Sequence, residues 1–168
     1  MRFHIMPFHF FGGYLKNNHF AFETVGTHIE GYTLRSNISS KINPLTRVQT
    51  DGFFYPKKKE GTVGAILHFP GNTQQGCTYP IYHVESVMEA KWAAIYFGLE
   101  MAKRCDQRFI GIESDALGIV RQIMMNDIGQ QNYARYYHDK IKDIGNDLQW
   151  CGIRYVPPEL IQVHKMLE

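Results

Sequence analysis

Cysteine is scarce in this sequence. Only three cysteines occur among 168 residues, and no two of them form a CxxC pair. Cys77, Cys105 and Cys151 are far apart and odd in number, so we expect neither a disulfide framework nor a zinc site. The expected state is three reduced thiols, in the core or at the surface.

Long apolar runs are also missing. No run of about 18 apolar residues occurs, so we expect no membrane-spanning helix. The first segment, MRFHIMPFHFFGG, is apolar but lacks the charged start and the small-residue cleavage pattern of a secretory signal. We therefore expect an intracellular, non-secreted protein, in a compartment that is unknown. A transit peptide stays open because no acidic residue precedes Glu23, although the segment is aromatic rather than rich in Arg and Ser.

A strong charge excess, internal repeats and low-complexity tracts are absent as well. The net charge is +2, which permits contact with nucleic acid without predicting it. Aromatic residues make up 14% of the chain and charged residues 20%, which is typical of a folded protein. A chain of this length can form one domain with a core, or one domain with an appendage.

The first 47 residues differ in pattern from the rest. Two strand-like runs, HFAFETV and HIEGYTL, precede a polar stretch, SNISSKINP, that is typical of a linker. We predict a small β-rich extension over residues 1–47 and a separate domain over residues 48–168. The aromatic extension could dock this domain onto a protein assembly.

The domain begins with three strands and then alternates helices with strands. RVQTDGFFY, TVGAILHF and QGCTYPIY are predicted strands, with the turn PKKKEG after the first. Helical periodicity over 84–104 is followed by the strand RFIGIES, the helices DALGIVRQIMMN and YARYYHDKIKDIGND, and the strand LQWCGIRYV. PPELIQVHKMLE predicts a last helix, because proline suits a first helical turn. This order predicts an α/β fold, a mixed sheet with helices on its faces.

A lysine interrupts the apolar side of the first helix, MEAKWAAIYFGLEMA. At 3.6 residues per turn, Lys91 lies in the apolar stripe, and the opposite stripe contains Glu89 and Ala93. Lys91 is thus expected to point toward the sheet and Glu89 toward solvent. A buried ammonium is costly unless it is paired or reaches water. From periodicity alone, a lysine at the helix edge that reaches water is the simpler explanation. The apolar stripe consists of Val87, Met88, Ala94, Ile95, Gly98, Leu99, Met101 and Ala102.

The segments from TDGFF to VPPELIQVHKML, taken in their order along the chain, resemble the ribonuclease H type 1 family, especially its plant and retroelement branch. TDGFF resembles the family's first strand, GTVGAIL its glycine-containing second strand, and AKWAAIYFGLEMA its helix motif A-E-x-x-A-x-x-x-G-L-x-x-A. IESDALGIV resembles the strand end that carries the second aspartate, and VPPELIQVHKML resembles the final helix. The resemblance covers about Val48 to Leu167. It implies an RNase H-like five-stranded mixed sheet, three antiparallel strands first, flanked by helices.

The resemblance also implies a catalytic and metal site at Asp51 and Asp115. In that family a cluster of carboxylates holds two Mg²⁺ ions about 4 Å apart, which activate a water and stabilise the leaving oxygen of a phosphodiester. An active protein would therefore need Mg²⁺ or Mn²⁺, and a degenerate one would need neither. Asp115 could instead be a plain helix N-cap.

The sequence departs from the family at two acidic positions. Ungapped alignment places Lys91 where the family has the metal-binding Glu of its helix. In the last helix, alignment on Leu167 puts Lys165 at the fourth acidic position, whereas a one-residue shift puts His164 there, which the family accepts. With the family's fold, the Lys91 ammonium would face both aspartates and neutralise what a metal ion otherwise neutralises. We hypothesise a degenerate nuclease site held by this salt bridge.

Three functional interpretations remain open. The first is a catalytically degenerate RNase H-like domain that binds RNA/DNA hybrid or structured RNA, or that serves as a structural module. The second is an active Mg²⁺-dependent ribonuclease H that cuts RNA in RNA/DNA hybrids, with Glu89 or Glu113 completing the carboxylate cluster and His164 assisting. The third is a protein–protein adaptor that kept only the fold. Fold similarity alone does not decide among them.

Three consecutive lysines, Lys57, Lys58 and Lys59, occupy the predicted hairpin tip. A solvated turn is the simpler explanation. Contact with phosphates of a nucleic acid is the alternative, and it would make binding depend on salt.

Overall fold

A computed structural model of the protein describes residues 9–10 and 45–167. Within these ranges the strands are β1 (His9–Phe10), β2 (Thr46–Tyr55), β3 (Glu60–His68), β4 (Gln74–Tyr82), β5 (Phe109–Ser114) and β6 (Trp150–Tyr155). The helices are α1 (Val87–Arg104), α2 (Leu117–Met125), α3 (Asn132–Asp147) and α4 (His164–Leu167), with a 3₁₀ helix at Pro158–Leu160. No helix in the described part of the chain is long and apolar enough to cross a membrane.

The strands form one mixed sheet in the order β1-β6-β5-β2-β3-β4. Strands β2, β3 and β4 are antiparallel neighbours, whereas β5 runs parallel to β2 and to β6. The predicted five-stranded mixed sheet with flanking helices is therefore confirmed, and the two-residue β1 extends it by an antiparallel pairing with β6. The predicted strand-like runs at 19–25 and 28–34 and the linker at 36–44 lie outside the described residues, so the division into extension and domain stays a prediction.

Helix α1 lies close against β2 because two glycines allow the approach. A Cβ atom at Gly52 would lie 2.2 Å from the carbonyl oxygen of Ala90, and one at Gly98 would lie 2.5 Å from Cγ2 of Thr50. Ser86 caps the helix start by accepting a hydrogen bond from the Glu89 backbone N–H at 3.0 Å. The result is a helix whose first turns are held at a fixed place over the middle of the sheet.

The predicted division of α1 into one apolar and one solvated stripe is wrong at three residues. Ala93, assigned to the solvated stripe, is buried, whereas Val87 and Met88, assigned to the apolar stripe, are 48% and 39% exposed. The physical reason is that α1 packs against both the sheet and α3, so its buried surface is wider than one stripe. Val87 and Met88 belong to the first turn, beyond the main contact with the sheet.

The chain end is also not the single helix predicted over 157–168. A 3₁₀ turn is followed by an extended residue, Ile161 (φ −86°, ψ 109°), before α4 begins. The side chain of Gln49 stabilises this break, since its amide donates to the Leu160 carbonyl at 3.2 Å and accepts from the Gln162 N–H at 3.1 Å. Apolar residues of the segment then pack on the sheet face opposite α1: Val156, Ile161, Val163 and Leu167, together with Ile66 of β3.

Candidate functional site

Asp51 and Asp115 meet where the parallel pairing of β2 and β5 ends. The last paired residues are Thr50 and Ser114, so each aspartate is the next residue along its chain. Thr50 faces α1, and Asp51 therefore points to the opposite face by strand alternation. Both carboxylates are largely buried, with side chains 7% and 8% exposed. Two carboxylates in such a place need compensating charge.

Lys91 supplies that compensation from the second turn of α1. Its Nζ donates to Oδ1 of Asp51 at 2.8 Å and to Oδ1 of Asp115 at 2.6 Å. The lysine side chain is only 17% exposed. Burial acts to lower the pKa of Lys91, but the hydrogen bonds and charges of the two aspartates outweigh it and raise that pKa above its usual value. Lys91 is therefore a charged bridge whose side chain is mostly buried.

His164 approaches the same two aspartates from α4. Its Nδ1 lies 2.6 Å from Oδ2 of Asp51, and its Nε2 lies 3.7 Å from Oδ2 of Asp115. Its side chain is 34% exposed, so the imidazole forms the solvent-facing side of the site. Each aspartate thus directs one oxygen at Lys91 and the other at His164. We call these four residues the charge quartet. It carries a net charge of −1 with neutral His164 and zero with protonated His164.

The two residues considered for the fourth acidic position, His164 and Lys165, have different surroundings. His164, the residue reached by the one-residue shift, lies at the aspartates, whereas Lys165 is exposed. Asp115 does not cap α2, because that helix has Ala116 at its N-cap position, without a side-chain cap.

Glu89 and Glu113 are not part of the charge quartet. The Glu89 carboxylate accepts a hydrogen bond from the Glu85 backbone N–H at 2.8 Å, which makes it part of the cap of α1. Glu113 is 1% exposed, and its carboxylate is ion-paired with Arg154 and with Arg47. Neither carboxylate is joined by a hydrogen bond or ion pair to Asp51 or Asp115 within the described residues.

A buried polar network lies next to the quartet on the same sheet. Of its members, Glu113 was a candidate from the sequence, whereas Gln49 and Arg154 were not. Gln49, two residues before Asp51 on the same face of β2, donates to the Glu113 carboxylate at 2.9 Å. Gln49, Glu113 and Arg154 lie side by side across β2, β5 and β6. The same Gln49 holds the turn that leads to His164. The alternation of Gln49 with Asp51 was the available signal, but it does not reveal the partners.

The three lysines of the hairpin tip are exposed, as a turn requires. Lys58 N–H donates to the Tyr55 carbonyl at 3.1 Å, and Lys59 has the left-handed φ of +52° that closes the turn. The structure does not bring these lysines into the quartet. They lie at the end of β2, beyond Asp51.

The quartet as arranged does not fit Mg²⁺. The Lys91 ammonium occupies the space between the two Oδ1 atoms, where it adds positive charge and uses the oxygens that a hard cation would need. Among residues 9–10 and 45–167, no group of three or more His, Cys, Asp or Glu side chains could hold a metal ion.

The sheet order, the helix packed on the sheet and the two aspartates where the pairing of β2 with β5 ends define an RNase H-like domain. The chain belongs to the reverse transcriptase-like family, an RNase H-like family whose sequence model matches residues 49–167. The predicted relationship to ribonuclease H is thereby confirmed. Comparison with curated protein sequences gives no match.

Solved structures of ribonucleases H share this fold. RNase H1 from the halophilic archaeon Halobacterium salinarum NRC-1 is similar with a TM-score of 0.64 and 16% identity, over 73% of this chain and 93% of that one. The N-terminal RNase H domain of rv2228c from Mycobacterium tuberculosis, fused to maltose-binding protein, gives 0.66 and 12%, over 74% and 90%. LC11-RNase H1 in complex with an RNA/DNA hybrid gives 0.61 and 17%, over 73% and 99%. At these identities the likeness shows the fold.

Proposed function

We propose that this protein is a nucleic-acid-binding RNase H-like module whose nuclease site has become a salt bridge, so that it does not hydrolyse its ligand. The observation that carries this proposal is the position of Lys91. Its ammonium lies within 2.8 Å of Asp51 Oδ1 and 2.6 Å of Asp115 Oδ1.

Lys91 can replace the charge of a metal ion but not its chemistry. Metal-assisted hydrolysis of a phosphodiester needs a bound water with a lowered pKa and a Lewis acid on the leaving oxygen. An ammonium held by two carboxylates offers neither. What it does provide is partial compensation of charge, because two uncompensated carboxylates at this site would repel the phosphates of a nucleic acid more strongly.

Contact with nucleic acid is supported by two observations. LC11-RNase H1, which shares the fold, is seen in complex with an RNA/DNA hybrid. In this chain three exposed lysines, Lys57 to Lys59, project from the hairpin that carries Asp51. Lysines on one turn can neutralise neighbouring phosphates and release counterions. RNA/DNA hybrid and structured RNA are the ligand classes to test. A protein assembly formed through the N-terminal segment and an intracellular location remain predictions.

The test combines metal binding, cleavage and nucleic-acid binding. Mg²⁺ is titrated calorimetrically into the full chain and into Lys91→Glu, Asp51→Asn and Lys103→Glu, and each protein is incubated with a labelled RNA/DNA hybrid in Mg²⁺ or Mn²⁺. Lys103→Glu is the matched control, since Lys103 lies on the same helix but pairs with Asp147 at the surface. We expect the natural protein to bind the hybrid in a salt-dependent way, to bind no Mg²⁺ at millimolar concentration and to cleave nothing. Only Lys91→Glu should gain Mg²⁺ binding.

Two results would contradict the proposal. Cleavage by the natural protein that Asp51→Asn abolishes would mean that metal displaces Lys91 and that this is an active ribonuclease H. A protein that binds no nucleic acid, whether hybrid, structured RNA or single strand, at any salt concentration would instead fit an adaptor that kept only the fold.

A further inference from the structure

Three large aromatic side chains are exposed at one end of the sheet. Phe53 is 49% exposed, Tyr55 40% and Tyr82 62%. Single exposed aromatics are ordinary on protein surfaces, but a contiguous group of them usually marks a binding site. We call these three residues the aromatic platform.

The platform lies on the same face of the sheet as the charge quartet. Phe53 and Tyr55 alternate with Asp51 along β2, so all three side chains point to one side. Across the sheet, Tyr55 pairs with Glu60 of β3, which pairs with Tyr82 of β4. The rings of Phe53 and Tyr55 are 4.9 Å apart between centroids, with planes inclined by 57°. The rings of Phe53 and Tyr55 therefore lie beside each other on the face of the sheet that also carries Asp51.

The last described residues, up to Leu167, pack over the neighbouring part of the sheet and leave these three rings exposed. Val163 and Leu167 pack over Gly64, which pairs with Asp51, and Met166 packs over Gly76. The platform lies beyond Gly64, toward the hairpin tip, where Thr62 of β3 separates Phe53 from Pro80.

The lysine turn borders the platform and is fixed in place from two sides. Tyr55 C=O accepts from Lys58 N–H at 3.1 Å, and Lys59 C=O accepts from Val84 N–H at 3.0 Å. Glu60 lies between Tyr55 and Tyr82 in the strand pairing, and Glu85 follows Val84, so carboxylates are present beside the three lysines. Positive charge beside exposed rings is the combination that binds unpaired nucleotides, because rings stack on bases while lysines contact phosphates.

We infer that the aromatic platform binds an unpaired segment of an RNA strand, with bases stacked on Phe53, Tyr55 and Tyr82 and phosphates on the lysine turn. This inference rests on the proposed nucleic-acid-binding function and names the part of the ligand that is recognised. A paired duplex hides its base faces, so the rings select single strands. The phenol groups of Tyr55 and Tyr82 can also hydrogen-bond a 2′-hydroxyl, which favours RNA over DNA.

The experiment measures fluorescence anisotropy of labelled oligouridylate, of the matching oligothymidylate and of a blunt RNA/DNA hybrid of equal length, titrated with the full chain. The variants are Phe53→Leu and Tyr82→Leu, which keep apolar bulk and remove the aromatic ring. Tyr136→Leu is the matched control, because Tyr136 is an equally exposed tyrosine (56%) beside a lysine, Lys140, on α3. Lys58→Gln tests the phosphate contact.

We expect each ring removal to weaken oligouridylate binding by about tenfold, with little effect on the blunt hybrid and none from Tyr136→Leu. Lys58→Gln should lower the slope of log K against log salt by about 0.7 for the single strand. If ring removal leaves oligouridylate affinity unchanged while the hybrid still binds, the platform is refuted and the proposed function stands. Equal affinity for oligothymidylate refutes the preference for RNA. Absence of binding to every nucleic acid overturns both proposals.

Discussion

Lys91 shows how a charged residue can belong to the buried side of a helix. Its ammonium has two carboxylate partners within hydrogen-bond distance, and its pKa is raised despite burial. The lysine and the aspartates therefore form one unit, in which each charge is stable only because the others are present. Removal of the Lys91 ammonium should therefore lower the free energy of unfolding strongly, because it leaves two like charges close together.

We predict that Lys91→Met lowers the free energy of unfolding by roughly 3 kcal/mol, since it removes the cation of a largely buried ion-paired group and leaves the carboxylates in place. Urea denaturation of the full chain measures the change. The double variant Asp51→Asn/Lys91→Met should lose less than Lys91→Met alone, because one of the unpaired charges is gone. Lys103→Met, which breaks an exposed pair with Asp147 on the same helix, should change little. Equal losses in Lys91→Met and Lys103→Met would contradict this account.

The sequence supports a partial prediction of the site at this scale. Asp51, Lys91, Asp115 and His164 could be named because each lies in a segment that resembles a family motif. The partners of Gln49 could not, because Glu113 is 64 residues away and Leu160 is 111 residues away. Such contacts depend on the register of strands and on the path of the chain end, and neither is visible in local periodicity.

At the scale of elements, the strands and long helices were predictable and the chain end was not. Runs of strand-forming residues between turn residues identify β2 to β6, and the helical period identifies α1 to α3. The buried face is not regular in every strand, since β4 has no buried residue and β5 is buried at all positions but the first. The last segment has prolines at its start and apolar residues throughout, which also suits a helix. Tertiary contacts decide against it, because Gln49 satisfies the backbone groups of Leu160 and Gln162 that a continuous helix would satisfy itself.

We predict that Gln49→Leu destabilises the protein by about 2 kcal/mol, because it leaves buried hydrogen-bonding groups without their partner. Hydrogen exchange followed by mass spectrometry should show faster exchange in residues 158–167, with smaller changes in β3 and β4. Gln162→Ala is the control, as the Gln162 side chain is exposed and its backbone N–H remains. Faster exchange spread evenly over the whole chain would show that Gln49 does not act on the chain end in particular.

At the scale of the whole molecule, two histidines are expected to make the stability of the fold depend on pH. His138 is 5% exposed and packs edge-on against Trp92, with ring centroids 6.4 Å apart. Burial lowers its pKa, and the Lys142 charge adds to this effect, while Asp139 opposes it. Burial and the Arg47 charge likewise lower the pKa of His68, against the opposing charge of Glu113. Both histidines are therefore neutral in the folded protein at a pH where the unfolded chain has begun to protonate.

The pKa of each histidine is lower in the folded protein than the unfolded value of 6.5. Below that pH the unfolded chain binds protons that the folded protein resists, so the free energy of unfolding falls as pH falls through 6.5. We predict that the free energy of unfolding, measured by urea denaturation, decreases from pH 7.5 to pH 5.5, a window above the ordinary range of carboxylates. His138→Phe keeps an aromatic ring against Trp92 and removes the titration, so its stability should depend less on pH over the same window. His68 should account for part of the dependence that remains. Identical pH dependence in His138→Phe and the natural protein would mean that His138 is not protonated on unfolding in this window, and that the loss of stability arises elsewhere.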